Sequence, residues 1–204
     1  MLYFYGAECC IFSLTNTPLV AFEGKTDVKY VKRALQMLQI LEPKYQNINM
    51  DFINFGGANN APFFVPDLLS MIPDGKPVYL FFDRDDEGKK GAAAVLGISK
   101  DHESISQFKD THSGNLTVGF IPYREGISTG DFLIEDYFLW DSTVKRMVEK
   151  EIELKHHPIK QLPSLASIIK RKLEDGYEQF SPAEFSGFKP LIEKLYDIST
   201  QKTS

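Results

Sequence analysis

Short, fully apolar stretches alternate with helical patterns along most of this chain. Residues 19–22 and 78–82 are continuous apolar runs, as expected of parallel strands covered on both faces. Residues 50–55 and 116–121 read as two further strands, and 2–5 with 9–14 as a hairpin around Gly6. Between the first two main strands, Val28, Val31, Leu35 and Leu38 recur at helical spacing from about Thr26 to Leu41, where Pro43 stops the pattern. Gly56-Gly57-Ala58-Asn59-Asn60 forms a turn, and a helix starts near Pro62 with bounds blurred by Pro66. Residues 87–96 predict a helix closed by Gly97, and 99–115 a polar surface excursion. After Pro122 the pattern changes: 132–140, 143–154, 165–173 and 188–198 read as helical or loop-linked. Strands alternating with helices predict an α/β sheet with crossover helices. The chain divides into a lead-in (1–17), a core (18–140) and a helical C-terminal extension packed on it (141–204), with no internal repeat.

The 204 residues, 43% apolar and 25% charged, fit a globular chain, and the apolar runs are too short to span a bilayer. No basic start leads into a long apolar stretch, so no signal peptide is expected. Adjacent Cys9 and Cys10 suit a disulfide poorly, which points to a reducing, cytoplasmic setting. The formal charge of −5 argues against a coat-like nucleic-acid binder. It leaves room for an enzyme that meets nucleic acid through metal ions and a local basic face. Residues 144–172 supply such a face, with Lys145, Arg146, Lys150, Lys155, Lys160, Lys170, Arg171 and Lys172 against three glutamates. Lys170, Arg171 and Lys172 are the candidate nucleic-acid contacts. An ordinary solvated helix surface would also account for the charge.

The chemistry-bearing pattern is acidic. Glu23 follows the strand over 19–22, Asp83 and Asp85 follow 78–82, and Glu135 and Asp136 come after 116–121. In an open α/β sheet the crevice beyond the carboxyl ends of the strands is the usual active-site location. Carboxylates gathered there repel one another, so a hard divalent cation is the natural occupant. Side chains at i and i+2 of an extended segment point the same way, which lets Asp83 and Asp85 grip one ion or two neighbouring ions.

Glu23-Gly24-Lys25-Thr26-Asp27 after one apolar strand, and Phe82-Asp83-Arg84-Asp85-Asp86-Glu87-Gly88 after another, resemble the Toprim domain of the OLD family nucleases. Phe55-Gly56-Gly57, the acidic segment 132–138 and the tail 185–191 extend the likeness over about residues 18–198. The resemblance implies a Toprim-like, Rossmann-type parallel sheet flanked by helices, and a phosphodiester-cleaving site that uses magnesium or manganese. It assigns Glu23 to metal binding or general acid–base work, and Asp83 and Asp85 to the paired metal ligands. Asp27, one turn beyond Glu23, would face the same crevice. Glu135, with Asp131 or Asp136, would complete a second position, so that one ion activates water and the other stabilises the leaving oxygen. The family also uses a lysine from its helical C-terminal part; Lys160 is the first candidate here and Lys170 the second.

The same resemblance implies DNA as substrate, antiviral defence as setting, and an ABC-type ATPase as a fused domain or separate subunit, since this sequence has no Walker motif. A homo-oligomer stays open, and no membrane partner is expected. Two alternatives stand beside it. A haloacid-dehalogenase-like phosphatase also places Asp-x-Asp after an apolar strand but gives Glu23 no role. A non-catalytic Toprim module would bind nucleic acid or a partner, with no reason to keep so repulsive a cluster. His156-His157 lacks partners at zinc spacing, and Lys25-Thr26 lacks the glycine-rich lead-in of a phosphate loop.

Overall fold

The computed structural model describes residues 17–98, 109–110, 114–139 and 162–200. The expected hairpin over 2–14, the helical or loop-linked stretch over 143–154, His156, His157 and Lys160 lie outside the described residues. Five strands form one sheet: β1 (Leu19–Phe22), β2 (Asp51–Asn54), β3 (Val78–Phe82), β4 (Lys109–Asp110) and β5 (Leu116–Phe120). Their order is β2-β1-β3-β5-β4. The first four in that order run parallel, and β4 lies antiparallel on the edge against β5. The described helices are α1 (Lys25–Leu41), α2 (Ala61–Met71), α3 (Asp86–Leu96), α4 (Leu162–Gly176) and α5 (Lys189–Thr200). The architecture is a Rossmann-like α/β sheet with a helical C-terminal region.

β1 explains why four apolar residues suffice for a central strand. All four side chains are buried. Val20 and Phe22 join the core shared with α1, whereas Leu19 and Ala21 join the core shared with α2 and α3. The C-terminal region enters the α1 side of the sheet through Leu173, Tyr177, Phe185, Phe188, Leu191 and Leu195. Tyr30 of α1 and Tyr177 meet edge to face at 5.1 Å, and Arg33 donates to the Glu178 carbonyl at 2.7 Å, which fixes the end of α4 on α1. At the amino ends of the strands, the fully buried Lys76 ammonium pairs with Asp51 at 2.8 Å and pins the foot of the sheet.

Two local outcomes sharpen the sequence pattern. The segment 132–140, read as helical or loop-linked, holds a single 3₁₀ turn, Ile134–Tyr137. Ile134 and Tyr137 point inward with a spacing of three, which suits the tighter winding. β4 falls inside the segment read as a polar excursion; two residues are too few for an alternating pattern to register.

The topology fixes where the site must be. β1 has β2 on one side and β3 on the other, so the chain reverses its direction of travel across the sheet between β1 and β3. Crevices open at such switch points, beyond the carboxyl ends of the two strands. Glu23 and Asp83 are the first residues past those ends.

Candidate metal centre

Glu23 and Asp83 are joined directly. The Asp83 amide donates to Glu23 Oε1 at 2.8 Å, and the Gly57 amide, in the turn after β2, donates to the Glu23 carbonyl at 2.8 Å. Three strand ends therefore meet at one residue. Asp83 is held in turn by the Ile134 amide, which donates to its Oδ1 at 3.2 Å. Arg84 points the other way, as the alternation of an extended segment requires. Its amide donates to the Phe132 carbonyl at 2.8 Å, and its Nε to the Ile121 carbonyl at 2.6 Å. The guanidinium lies 4.3 Å from the centre of the Tyr123 ring. Arg84 thus clamps the 121–132 loop to the end of β3 and carries Glu135 towards Asp83.

Gly88 makes the close packing feasible. A Cβ there would lie 2.1 Å from the Asp83 carbonyl oxygen and 3.0 Å from Glu23 Oε1. Only glycine lets the first turn of α3 press against both. Asp85 starts that helix, its Oδ1 accepting the Gly88 amide at 2.7 Å. Asp27 caps α1 in the reverse sense, from the third helical position, its Oδ2 accepting the amide of the preceding cap residue Gly24 at 2.6 Å. One oxygen of each is committed to backbone, while the carboxyl groups still lie close enough to act on Glu23.

The electrostatics follow from burial and crowding. Burial pushes the Glu23 carboxyl up to about 7, against the opposing pull of the Asp83 amide and with added repulsion from Asp85 and Asp27. Burial, then Asp27, Glu23, Glu135 and Asp85, push Asp83 up to about 9. Asp27 and Glu135 are also raised by burial, and Lys170 partly offsets both. Lys170 Nζ lies 3.3 Å from Glu135 Oε1. Burial works against the lysine's charge, yet Glu135, Asp83 and Asp27 outweigh it and raise the lysine's pKa.

The acidic residues expected at the second position separate. Glu135 enters the cluster. Asp136 is exposed and turns back to accept the Leu133 amide at 2.8 Å, capping its own 3₁₀ turn. Asp131 is exposed and paired with Lys89 of α3 at 3.3 Å. Both are therefore taken by local structure. The basic triplet also divides. Consecutive helical residues lie about 100° apart, so Lys170, Arg171 and Lys172 cannot share one face. With Leu173 buried and Ile169 packed against the core, Lys170 reaches the carboxylates and Arg171 lies on the exposed side of the helix. The tail 185–191 is a packing device: Phe185 and Phe188 are fully buried against Phe138, and a Cβ on Gly187 would meet the Tyr137 carbonyl oxygen at 2.0 Å.

Among the described residues, no three His, Cys, Asp or Glu side chains close tightly enough round one point to hold an ion as they stand. The donor set nevertheless fits a hard cation. Its oxygens come from several elements, they repel one another, and Glu135 Oε2 is buried with no hydrogen-bond partner among the described residues. No family model, curated protein or solved structure matches this chain.

Proposed function

We propose that this chain is a divalent-metal-dependent nuclease of the Toprim type, cleaving phosphodiester bonds in DNA. The observation that carries the reading is the bonded pair Glu23–Asp83 at the switch point, half-buried among further carboxylates whose charge calls for a cation. Glu23, Asp83 and Asp85 would hold magnesium or manganese, and the unpartnered oxygen of Glu135 would extend the donor set. The metal would supply an activated water and charge neutralisation for the scissile phosphate. Asp27 and Asp85 use their caps to hold the first turns of α1 and α3 against the crevice. Lys170, already beside Glu135, offers its ammonium to a phosphate oxygen, the role that the OLD resemblance gives to a C-terminal lysine. Arg171, on the exposed side of α4, is placed for a longer-range contact with DNA.

The ATPase partner, the defence setting and the cytoplasmic location rest on the resemblance and the cysteine pattern. Among the described residues no helix is long and apolar enough to cross a membrane, and no membrane partner is proposed. The test is plasmid cleavage with manganese or with EDTA, run beside hydrolysis of p-nitrophenyl phosphate. Metal-dependent nicking or linearisation with little phosphatase turnover supports the nuclease. The reverse pattern supports a dehalogenase-like phosphatase, and DNA binding with neither activity supports a non-catalytic module.

A further inference from the structure

We propose that Lys170 is a built-in counter-cation of the carboxylate cluster, holding the place of a divalent ion in the metal-free protein and competing with it for Glu135. The inference rests on the metal-dependent reading above and adds a specific consequence for metal affinity.

Three observations carry it. Lys170 stands on α4, a helix outside the sheet, yet Nζ is 3.3 Å from Glu135 Oε1 and its field reaches Asp27 and Asp83. The pairing is also incomplete. Glu135 is only 13% exposed, and its second oxygen, Oε2, is buried without a hydrogen-bond partner among the described residues, so the ammonium satisfies half of the carboxylate. Finally, the Lys170 side chain is itself 54% exposed, and Glu135 is the carboxylate that holds its ammonium. A lysine stem anchored at its tip and open to water can swing aside at little cost.

A single positive charge cannot neutralise the group formed by Glu23, Asp27, Asp83, Asp85 and Glu135. It lowers the repulsion enough for the metal-free chain to fold with these side chains packed together. The same charge opposes an incoming dication. Metal binding therefore requires Lys170 to release Glu135, and the released ammonium becomes free to meet a phosphate. The lysine thus sets the threshold of metal occupancy as well as the charge of the empty site.

The test measures manganese binding by the paramagnetic resonance of the free ion, together with melting in EDTA, for the parent, Lys170→Met and Lys170→Arg. Met keeps the stem and removes the charge, whereas Arg keeps the charge and acts as the rescue. Lys170→Met is expected to bind manganese about tenfold more tightly than the parent and to melt lower in EDTA, because an opposing charge at ion-pair distance is gone. Lys170→Arg is expected to match the parent in both. If the parent binds manganese and Lys170→Met binds it no more tightly, the counter-cation proposal is overturned while the nuclease reading stands. If neither protein binds manganese, the metal reading fails and the proposal fails with it.

Discussion

The amide of Asp83 donates to Oε1 of Glu23 at 2.8 Å, so the two acids at the ends of β1 and β3 are tied together by a backbone bond. This bond stabilises an ionised Glu23 and at the same time presses the Asp83 carboxyl into its field. The site is thereby organised in advance and left short of positive charge.

The pH dependence of metal-free stability should reveal that shortage. Folded-state values of about 7 for Glu23 and about 9 for Asp83 lie above ordinary carboxylate values of about 4. The folded chain then binds more protons than the unfolded one, so these groups favour folding at acid pH. Their contribution is lost as pH rises from about 4 through about 9. In EDTA the melting temperature should fall by on the order of 5 °C between pH 5 and 9, and Asp83→Asn should flatten the slope. A variant with an unchanged slope would remove Asp83 as its source.

Neighbouring acids on the 3₁₀ turn should behave oppositely. Asp136→Ala removes the cap on the Leu133 amide and should cost about 1 kcal/mol in a denaturant titration, with manganese affinity unchanged. Glu135→Gln removes a buried charge from the crowded crevice. It should weaken manganese binding without lowering metal-free stability, as read by calorimetric titration and melting.

Gly88→Ala places a methyl against the Asp83 carbonyl and Glu23 Oε1. The nearer contact is backbone, so α3 must move away from β3. A loss of about 1–3 kcal/mol is expected, with weakened manganese binding in the fraction that remains folded. Unchanged stability and affinity would mean that α3 can retreat without disturbing the site.

The two central strands, β1 and β3, were legible because burial on both faces leaves them continuously apolar. Leu19–Phe22 and Val78–Phe82 stand at the residues expected from their apolar runs. Strand ends in turn exposed Glu23 and Asp83, since an acid directly after an apolar run marks where the chain leaves the core and the crevice begins. Fates decided by local hydrogen bonds were not legible. Asp136 and Glu135 are adjacent and both acidic, and only the geometry of the turn sends one to a backbone amide and the other to the crevice. Lys170 was visible as one of a basic triplet, but its partner lies 35 positions away in sequence and no periodicity links them. A helical projection from Leu173 would have separated it from Arg171. Gly88 was visible only as the last residue of the acidic motif, and its importance, the space it leaves empty, shows only in three dimensions.

The most direct test of the metal-centred site is plasmid cleavage in manganese by the parent, Glu23→Gln and Asp83→Asn. Each change removes one negative charge at nearly constant volume, so the fold should persist and metal-free melting should hold or rise. Both variants are expected to lose cleavage by about a hundredfold or more, because charge stabilisation of the transition state is lost with the ligand. A phosphatase with Asp83 as nucleophile would tolerate Glu23→Gln. Cleavage by Glu23→Gln at the parent's rate, in a protein that still needs manganese, would contradict the assignment of Glu23 and Asp83 to one catalytic centre.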